Sequence, residues 1–261
     1  MREYCSKGSQ FVPAIVLALI GCILFLTPAY SEPLGVFDGT WTQIANDDGV
    51  GTNGYVNPGW GGQAFDAEYL YYKKTGNSLS IGLQTGFDLS DGKYSTGGKD
   101  YFAGDLGLSF DGDAAVYEYA FDFGLLTKDY HNHLVDAGSG TGIDTAGLYH
   151  VTAWNTDIYF HQSSPFAMDN GTLLAAVNGS TVLNSFSSGL TGEGLSYYRI
   201  VTFDLASLGT DFSGLDAHWT MSCGNDAIDG SAPAPVPEPS TSVLLGIGSG
   251  LLWLSRRRMT R

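Results

Sequence analysis

The chain has 261 residues with 27 acidic and 12 basic side chains, and its formal net charge is −15 at pH 7. Between Glu32 and Pro239 only six basic residues accompany 26 acidic ones, so this part carries a net charge of about −20. A surface of this sign repels nucleic acid and anionic membranes, which excludes nucleic acid as a partner and favours neutral ligands or divalent cations.

The first 31 residues have the features of an export signal. Arg2 and Lys7 precede an apolar run over residues 12–26, and Ala29 and Ser31 provide the small side chains that signal peptidase requires. We therefore predict a signal peptide over residues 1–31 with cleavage after Ser31. The alternative is an uncleaved N-terminal anchor, and either reading exports the rest of the chain.

Residues 32–230 are predicted to form one extracellular all-β domain. Apolar side chains recur at every second position, and turn-forming residues separate these runs about every 8 to 12 residues. The clearest hairpin joins residues 65–72 to residues 79–87 through the turn KKTGNS. Further strands are predicted at LGLSF, residues 115–123, LYHVTAW, TLLAAV, TVLNSF, YYRIVTFDL and AHWTMSC.

No part of this domain has the period of a long helix, and FDLASLGTDF is predicted to hold a single helical turn. The pattern indicates one antiparallel β-sandwich of jelly-roll type, with about ten strands. An N-terminal signal helix and a C-terminal transmembrane helix are predicted to flank it.

The segments FDAEYLYYKKTGNSLSIGLQTGFD and YFAGDLGLSFDGD resemble the first half of family 9 carbohydrate-binding modules and of their DOMON-like relatives. The resemblance implies a β-sandwich that binds sugars or, in some branches of the family, haem. No binding residue of these families carries over to this sequence.

Two carboxylates, Asp66 and Glu68, lie two residues apart on one predicted strand face. Such a pair can hydrolyse glycosidic bonds, but a solvent-exposed strand face is the favoured interpretation. Aspartates also crowd the loops that follow, where extracellular proteins often bind Ca²⁺. Turn formation also explains these aspartates, and it is the favoured interpretation. The candidate Ca²⁺ ligands are Asp88, Asp91, Asp100, Asp105, Asp111 and Asp113.

His131 and His133 are further candidate metal ligands, but no third ligand has suitable spacing, so a polar loop is favoured. Cys223 alternates with Trp219 and Met221, which predicts a buried, unreactive thiol. Because Cys5 and Cys22 leave with the signal peptide, no internal disulfide is expected.

No nucleophile, base and orienting group form a recognisable pattern, so we expect a non-enzymatic protein without a cofactor, Ca²⁺ being the one candidate. If the domain binds glycan, exposed tryptophans are expected to stack on sugar rings. The candidates are Trp41, Trp60 and Trp154.

The C-terminal residues combine three features. Alternating prolines make residues 231–240 a stiff extended linker. An apolar segment, residues 241–255, is predicted as a transmembrane helix, and its apolar length of ~21 Å is short against a hydrocarbon core of ~30 Å. Arg256, Arg257 and Arg258 begin a basic tail over residues 256–261, which we expect to stay cytoplasmic and to extend the span by snorkelling.

The C-terminus contains Val236, Pro237, Glu238 and Pro239, followed by the short apolar segment and the arginine cluster. This order resembles the PEP-CTERM sorting signal, also called the ice-binding protein C-terminal domain. The resemblance implies a substrate of exosortase. Signal peptidase and exosortase would be its processing enzymes, and the inner membrane would hold it transiently. The product would reach the cell surface or extracellular matrix of a Gram-negative-type bacterium, whereas an uncut tail anchor is the alternative.

Three functions remain open from the sequence. The favoured one is a non-enzymatic surface or matrix protein that binds exopolysaccharide. A secreted glycan-active hydrolase would need a convergent acid and base, for which no motif is visible. An ice-binding protein would need a regular threonine array, and Thr40 and Thr42 form the only such pair near a strand.

Overall fold

The computed structural model describes residues 32–47, 61–113, 116–130, 142–191, 194–209 and 212–233, and this part of the chain is all-β. All pairings between its strands are antiparallel. In chain order the strands are β1 (Thr42–Asn46), β2 (Ala67–Thr75), β3 (Ser78–Thr85), β4 (Lys93–Thr96), β5 (Lys99–Phe102), β6 (Leu106–Ser109), β7 (Tyr119–Asp122), β8 (Gly147–Asn155), β9 (Ala167–Ala176), β10 (Leu183–Leu190), β11 (Leu195–Asp204), β12 (Gly214–Thr220) and β13 (Ala227–Pro233).

The strands form two large sheets and one separate hairpin. The five-stranded sheet has the order β1-β2-β3-β11-β10, the six-stranded sheet has the order β13-β12-β6-β7-β8-β9, and β4 pairs with β5. One hydrophobic cluster takes Leu70 and Ile81 from the first sheet and Leu108, Phe121 and Trp219 from the second. The main core therefore joins the two sheets.

The predicted hairpin between β2 and β3 is confirmed. Thr75 pairs with Ser78, which leaves Gly76 and Asn77 as a two-residue loop, and Gly76 adopts a φ of 59°. Glycine suits this left-handed conformation because it lacks a Cβ. The helical turn predicted in FDLASLGTDF is also present, as a 3-10 turn over Leu205–Leu208.

Strict alternation predicts Ala67, Tyr69 and Tyr71 on one face of β2. This prediction is wrong, because the strand contains a bulge. The register between β2 and β3 shifts between Ala67 and Tyr69. A bulge adds one residue to a strand and so exchanges the faces beyond it. Ala67 and Leu70 both reach the main core, whereas Tyr69 and Tyr71 pack with Phe37 on the opposite face.

Four strands, β1, β4, β5 and β13, were not predicted from the sequence. The first three are four or five residues long, and β13 is rich in small residues. Such segments lack a clear apolar alternation. Because β13 continues to Pro233, residues 231–233 belong to the sheet and not to the predicted linker.

Several predicted features lie outside the described residues. Within the described ranges, no helix is long and apolar enough to cross a membrane. The predicted signal and transmembrane helices are outside those ranges. The same holds for Ser31, Trp60, His131, His133, the motif from Val236 to Pro239, and Arg256, Arg257 and Arg258.

Candidate functional site

The candidate site is a cleft on the outer face of the six-stranded sheet. Leu106 and Leu108 of β6 pack in the main core, so Gly107 between them lies on the opposite face. The cleft has a volume of about 370 Å³. The lining residues that bear on its chemistry are Tyr117, Trp154, Gln162, Ser164, His218 and Asp229.

Gly107 provides room for the aromatic walls of the cleft. It pairs with Ala120 on one side and with His218 on the other. A Cβ at this position would lie 3.3 Å from the ring of Tyr117 and 3.5 Å from that of Trp154. A Cβ would therefore be tight against the Tyr117 ring and in ordinary contact with the Trp154 ring, so glycine lets the Tyr117 ring lie close to the sheet.

The two aromatic walls are held in place by other groups. The Tyr117 ring stacks on the His218 ring, with centroids 5.4 Å apart and planes inclined by 27°. The Trp154 indole N–H donates to the Tyr117 carbonyl oxygen at 2.8 Å. Because these contacts restrain the rings, the cleft presents aromatic surface that is already ordered before a ligand binds.

Tyr117 does not lie where the sequence predicts it. The alternation placed it on one face with Tyr119, Phe121 and Phe123, and those three side chains do pack in the main core. Tyr117 precedes the start of β7 and lines the cleft on the other side of the sheet. The alternation of side chains between the two faces therefore begins with β7, after Tyr117.

His218 and Asp229 form a polar pair in the cleft. His218 Nδ1 lies 2.8 Å from Asp229 Oδ1, and Nε2 lies 2.8 Å from the Pro165 carbonyl oxygen and 3.1 Å from that of Ser163. Both ring nitrogens thus face oxygen atoms, and these contacts fix the orientation of the His218 ring. The Asp229 side chain is 67% exposed, so it remains accessible to a ligand.

The charges of the pair and of Tyr117 follow from their surroundings. Partial burial acts to raise the pKa of Asp229, but the hydrogen bonds and charge of His218, together with Tyr117, hold it below its usual value. Burial, and then the Asp229 charge, raise the pKa of the Tyr117 phenol well above its ordinary value. Asp229 is therefore a carboxylate, and the neutral Tyr117 hydroxyl donates to it at 3.1 Å.

Ser164 also lines the cleft, so the site contains the three residue types of a serine hydrolase triad. In such a triad the histidine Nε2 accepts the serine proton. His218 Nε2 instead points to the carbonyl oxygens of Ser163 and Pro165. This geometry leaves His218 without a lone pair directed at Ser164, and it favours binding over acyl transfer.

Of the predicted tryptophans, only Trp154 is placed in the cleft by the described residues. Trp41 lies on the outer face of the other sheet, where its ring meets Phe37 edge-to-face at 5.4 Å. The Lys73 ammonium lies 6.0 Å from the Trp41 ring.

Asp66 and Glu68 are buried, with exposures of 1% and 0%, so the prediction of a solvent-exposed strand face is wrong. The Glu68 carboxylate accepts hydrogen bonds from Gln63 Nε2 at 2.7 Å, Gln84 Nε2 at 2.6 Å and Ser196 Oγ at 2.7 Å. A carboxylate enclosed by donors from three segments joins those segments together and is closed to a glycan.

The predicted Ca²⁺ ligands do not converge. Asp88 accepts from the Ser90 and Asp91 backbone N–H groups at 2.8 and 3.2 Å, and Asp111 accepts from the Asp113 N–H at 2.8 Å. These contacts confirm the turn interpretation for Asp88 and Asp111. Asp100 instead pairs with Lys93 at 3.6 Å. Within the described ranges, no group of three or more His, Cys, Asp or Glu side chains could hold a metal ion.

Two buried aspartates, Asp105 and Asp122, lie on the same outer face. The sequence indicated Asp105 only as a candidate Ca²⁺ ligand and did not indicate Asp122. Asp105 is 3% exposed and accepts from the Met168 N–H at 2.8 Å, while Asp122 is fully buried and accepts from the Gly124 N–H at 2.6 Å. Asp122 Oδ2 is buried with no hydrogen-bond partner among the described residues. The position of Asp122 between Phe121 and Phe123 was the available signal, since it marks a carboxylate inside an apolar strand.

Burial of this pair changes its protonation. Burial raises the pKa of Asp122 to about 7, and the neighbouring Asp144 charge adds to the shift. Burial, and then the charge of Asp122, raise the pKa of Asp105 well above its usual value. The pair therefore favours a protonated state in the folded protein.

Cys223 behaves as predicted. It is 2% exposed within the main core, and burial raises the pKa of its thiol to about 12. The thiol is therefore protonated and shielded at neutral pH.

Comparison with known proteins gives no relative for the chain: no family model, no curated protein and no solved structure matches it.

Proposed function

We propose that this protein is an exported, non-enzymatic cell-surface or matrix protein whose β-domain binds neutral exopolysaccharide in the Tyr117–Trp154 cleft. The observation that carries the proposal is the pair of restrained aromatic rings beside an exposed carboxylate. Sugar C–H faces stack on aromatic rings, and sugar hydroxyls donate to carboxylates. The net charge of about −20 between Glu32 and Pro239 disfavours a polyanionic ligand.

The size of the cleft agrees with a short stretch of glycan. Small-molecule sites occupy roughly 300–1,000 Å³, and a cleft of about 370 Å³ lies at the lower end of that range. Gln162 adds an amide that can both donate to and accept from sugar hydroxyls.

The fold proposed for the domain is a β-sandwich of jelly-roll type, with the two large sheets packed face to face. The core cluster that both sheets share supports this arrangement. Close packing of β1 on β13 supports it as well, because a Cβ on Gly230 would lie 2.9 Å from the Ile44 side chain. In this scaffold the cleft lies on the outer face of the six-stranded sheet, away from the shared core.

Replacing Trp154 by alanine is expected to weaken glycan binding by about 2- to 13-fold, if stacking on a sugar contributes about 0.5–1.5 kcal/mol, as is typical of an aromatic pair. Trp154→Phe should retain most of the affinity because it keeps an aromatic ring. Isothermal titration calorimetry with soluble neutral polysaccharides, such as β-glucan, galactomannan and dextran, measures the change.

Trp41→Ala is the matched control, because Trp41 lies on the other sheet and outside the cleft. It should leave binding unchanged, and circular dichroism should show both variants folded. Equal loss in both tryptophan variants would contradict the assignment of the cleft. Glycan turnover that disappears in Asp229→Asn would contradict the non-enzymatic proposal.

Processing at both ends is expected if the terminal segments act as the sequence indicates. Intact-mass measurement of protein released from cells should show loss of residues 1–31 and of Arg256–Arg261. Replacing Pro237, Glu238 and Pro239 by alanines should leave the chain in the membrane fraction. Mature surface protein that retains Arg256–Arg258 would exclude exosortase processing.

An ice-binding function has less support from the geometry. The Thr40 hydroxyl donates to Asp38 at 2.6 Å and accepts from the Lys73 ammonium at 2.9 Å. These contacts engage it within the protein, so Thr40 and Thr42 do not present a repeated array of free hydroxyls.

A further inference from the structure

β10 is an open edge strand. It ends the five-stranded sheet, and among the described residues it pairs only with β11. An open edge presents unpaired backbone N–H and C=O groups that a further strand can bind.

The register shows which backbone groups point outward. Thr191 and Gly194 exchange backbone hydrogen bonds at 2.7 and 3.3 Å. Hydrogen-bonded and non-hydrogen-bonded pairs alternate along an antiparallel ladder, so counting back from Thr191 identifies the outward-facing residues. They are Asn184, Phe186, Ser188 and Leu190.

The edge lacks the features that normally prevent strand pairing. Soluble proteins protect their edges with lysine, proline or bulges, and β10 (LNSFSSGL) contains neither lysine nor proline. Its pairing with β11 has no register shift. Phe186 is 53% exposed and Leu190 is 84% exposed, so apolar surface accompanies the free backbone groups.

The distribution of charge along the chain is compatible with a second copy as the partner of β10. Two copies of a domain with a net charge of about −20 repel one another over most of their surfaces. No charged residue occurs between Asp169 and Glu193, a stretch that includes β10. An antiparallel two-fold arrangement would oppose β10 only to the uncharged residues of its own copy.

We propose that β10 pairs antiparallel with β10 of a second copy, forming a dimer in which the two five-stranded sheets continue into one. A two-fold axis at Phe186 or Ser187 sets outward-facing groups opposite outward-facing groups, as the ladder requires. Phe186 is held for this contact by the Arg199 guanidinium, 4.5 Å from the ring centre, and Arg199 Nη1 in turn donates to Asn184 Oδ1 at 3.0 Å. The dimer does not depend on the glycan cleft.

Ser188→Pro tests the pairing directly. It removes an outward N–H without removing a hydrogen bond to β11, so it should halve the mass by sedimentation velocity. The melting temperature should fall only by the amount that loss of the dimer itself accounts for. Ser187→Pro removes an N–H that points to β11 and should lower the melting temperature. The measurements use the full chain in a mild detergent.

Leu190→Asp is a second test of the pairing. It should leave the monomer folded, because the Leu190 side chain is largely exposed. With the axis at Ser187, position 190 lies opposite the uncharged Asn184 of the second copy, so the carboxylate would lose water without gaining a partner and should convert the dimer to monomer. Thr96→Asp adds the same charge at an exposed position on β4 and should remain dimeric. Raising the salt concentration should strengthen the wild-type dimer, because salt screens the repulsion between the acidic bodies.

A wild-type chain that stays monomeric at about 100 μM would overturn the proposal, since even weak specific complexes form at that concentration. Dimers that persist in both Ser188→Pro and Leu190→Asp would place the interface elsewhere and would also overturn it. So would a monomer that binds a strand of a different protein at β10.

Discussion

Replacing Glu68 by alanine is expected to lower the free energy of unfolding by about 3–4 kcal/mol. The change removes the acceptor shared by Gln63, Gln84 and Ser196, and a buried donor left without a partner costs about 1–3 kcal/mol. In a domain of this size the loss corresponds to a fall of about 10 °C in the melting temperature. Urea denaturation followed by circular dichroism measures the effect.

The same substitution should loosen the N-terminal segment. Gln84 holds that segment with both ends of its amide: Oε1 accepts from the Leu34 N–H at 2.8 Å, and Nε2 donates to the Glu32 carbonyl oxygen at 2.9 Å. Nε2 also donates to Glu68, so loss of the carboxylate removes one restraint on the amide. Limited proteolysis should therefore cut near residue 34 earlier in the variant.

Glu32→Ala is the matched control, because it removes an exposed glutamate from the same segment without changing the backbone carbonyl. A change within about 0.5 kcal/mol is expected. If Glu68→Ala were no more destabilising than Glu32→Ala, the Glu68 carboxylate would not stabilise the sheet.

Replacing Asp122 by asparagine is expected to stabilise the protein at pH 8 and to leave its stability unchanged at pH 4. Burial raises the pKa of Asp122 from 3.8 to about 7. Between these values the folded state binds more protons than the unfolded state. The contribution of Asp122 to stability is therefore fully present below pH 4 and is lost as the pH rises through 7. A shift of this size corresponds to about 4 kcal/mol at most.

Asparagine removes the charge and keeps Oδ1 as the acceptor for the Gly124 N–H. Urea denaturation between pH 4 and 8 should show a shallower decline of stability in the variant, by about one proton. Part of the decline should remain, because burial also raises the pKa of Asp105.

Asp91→Asn serves as the control because Asp91 is exposed. It should retain the wild-type decline of stability with pH. An Asp122→Asn variant with the same slope as Asp91→Asn would show that Asp122 is ionised in the folded protein at pH 5, which contradicts the burial argument.

The candidate site was only partly predictable from the sequence. Trp154 was identified because a large aromatic residue in a strand is a plausible stacking surface. The choice between Trp154 and Trp41 needed the structure, because the sequence around each tryptophan does not show which one lines a cleft. His218 and Asp229 lie on neighbouring strands, β12 and β13, and the partnership appears only when those strands pair.

The sequence by itself determined the all-β class, the β2–β3 hairpin and the core side of β3. These depend on local properties: alternate residues of a strand point to opposite faces, and Gly76 permits the tight turn. Leu79, Ile81 and Leu83 follow that alternation into the core.

Tertiary structure alone decided where alternation fails. The bulge between Ala67 and Tyr69 becomes visible only against β3, and it accompanies the burial of Glu68 among donors from β3 and β11. The cleft likewise combines Tyr117 with Trp154 and His218, which are distant along the chain. The physical reason is the same in each case: strand periodicity specifies the two faces of one strand, while pairing with other strands specifies what covers each face.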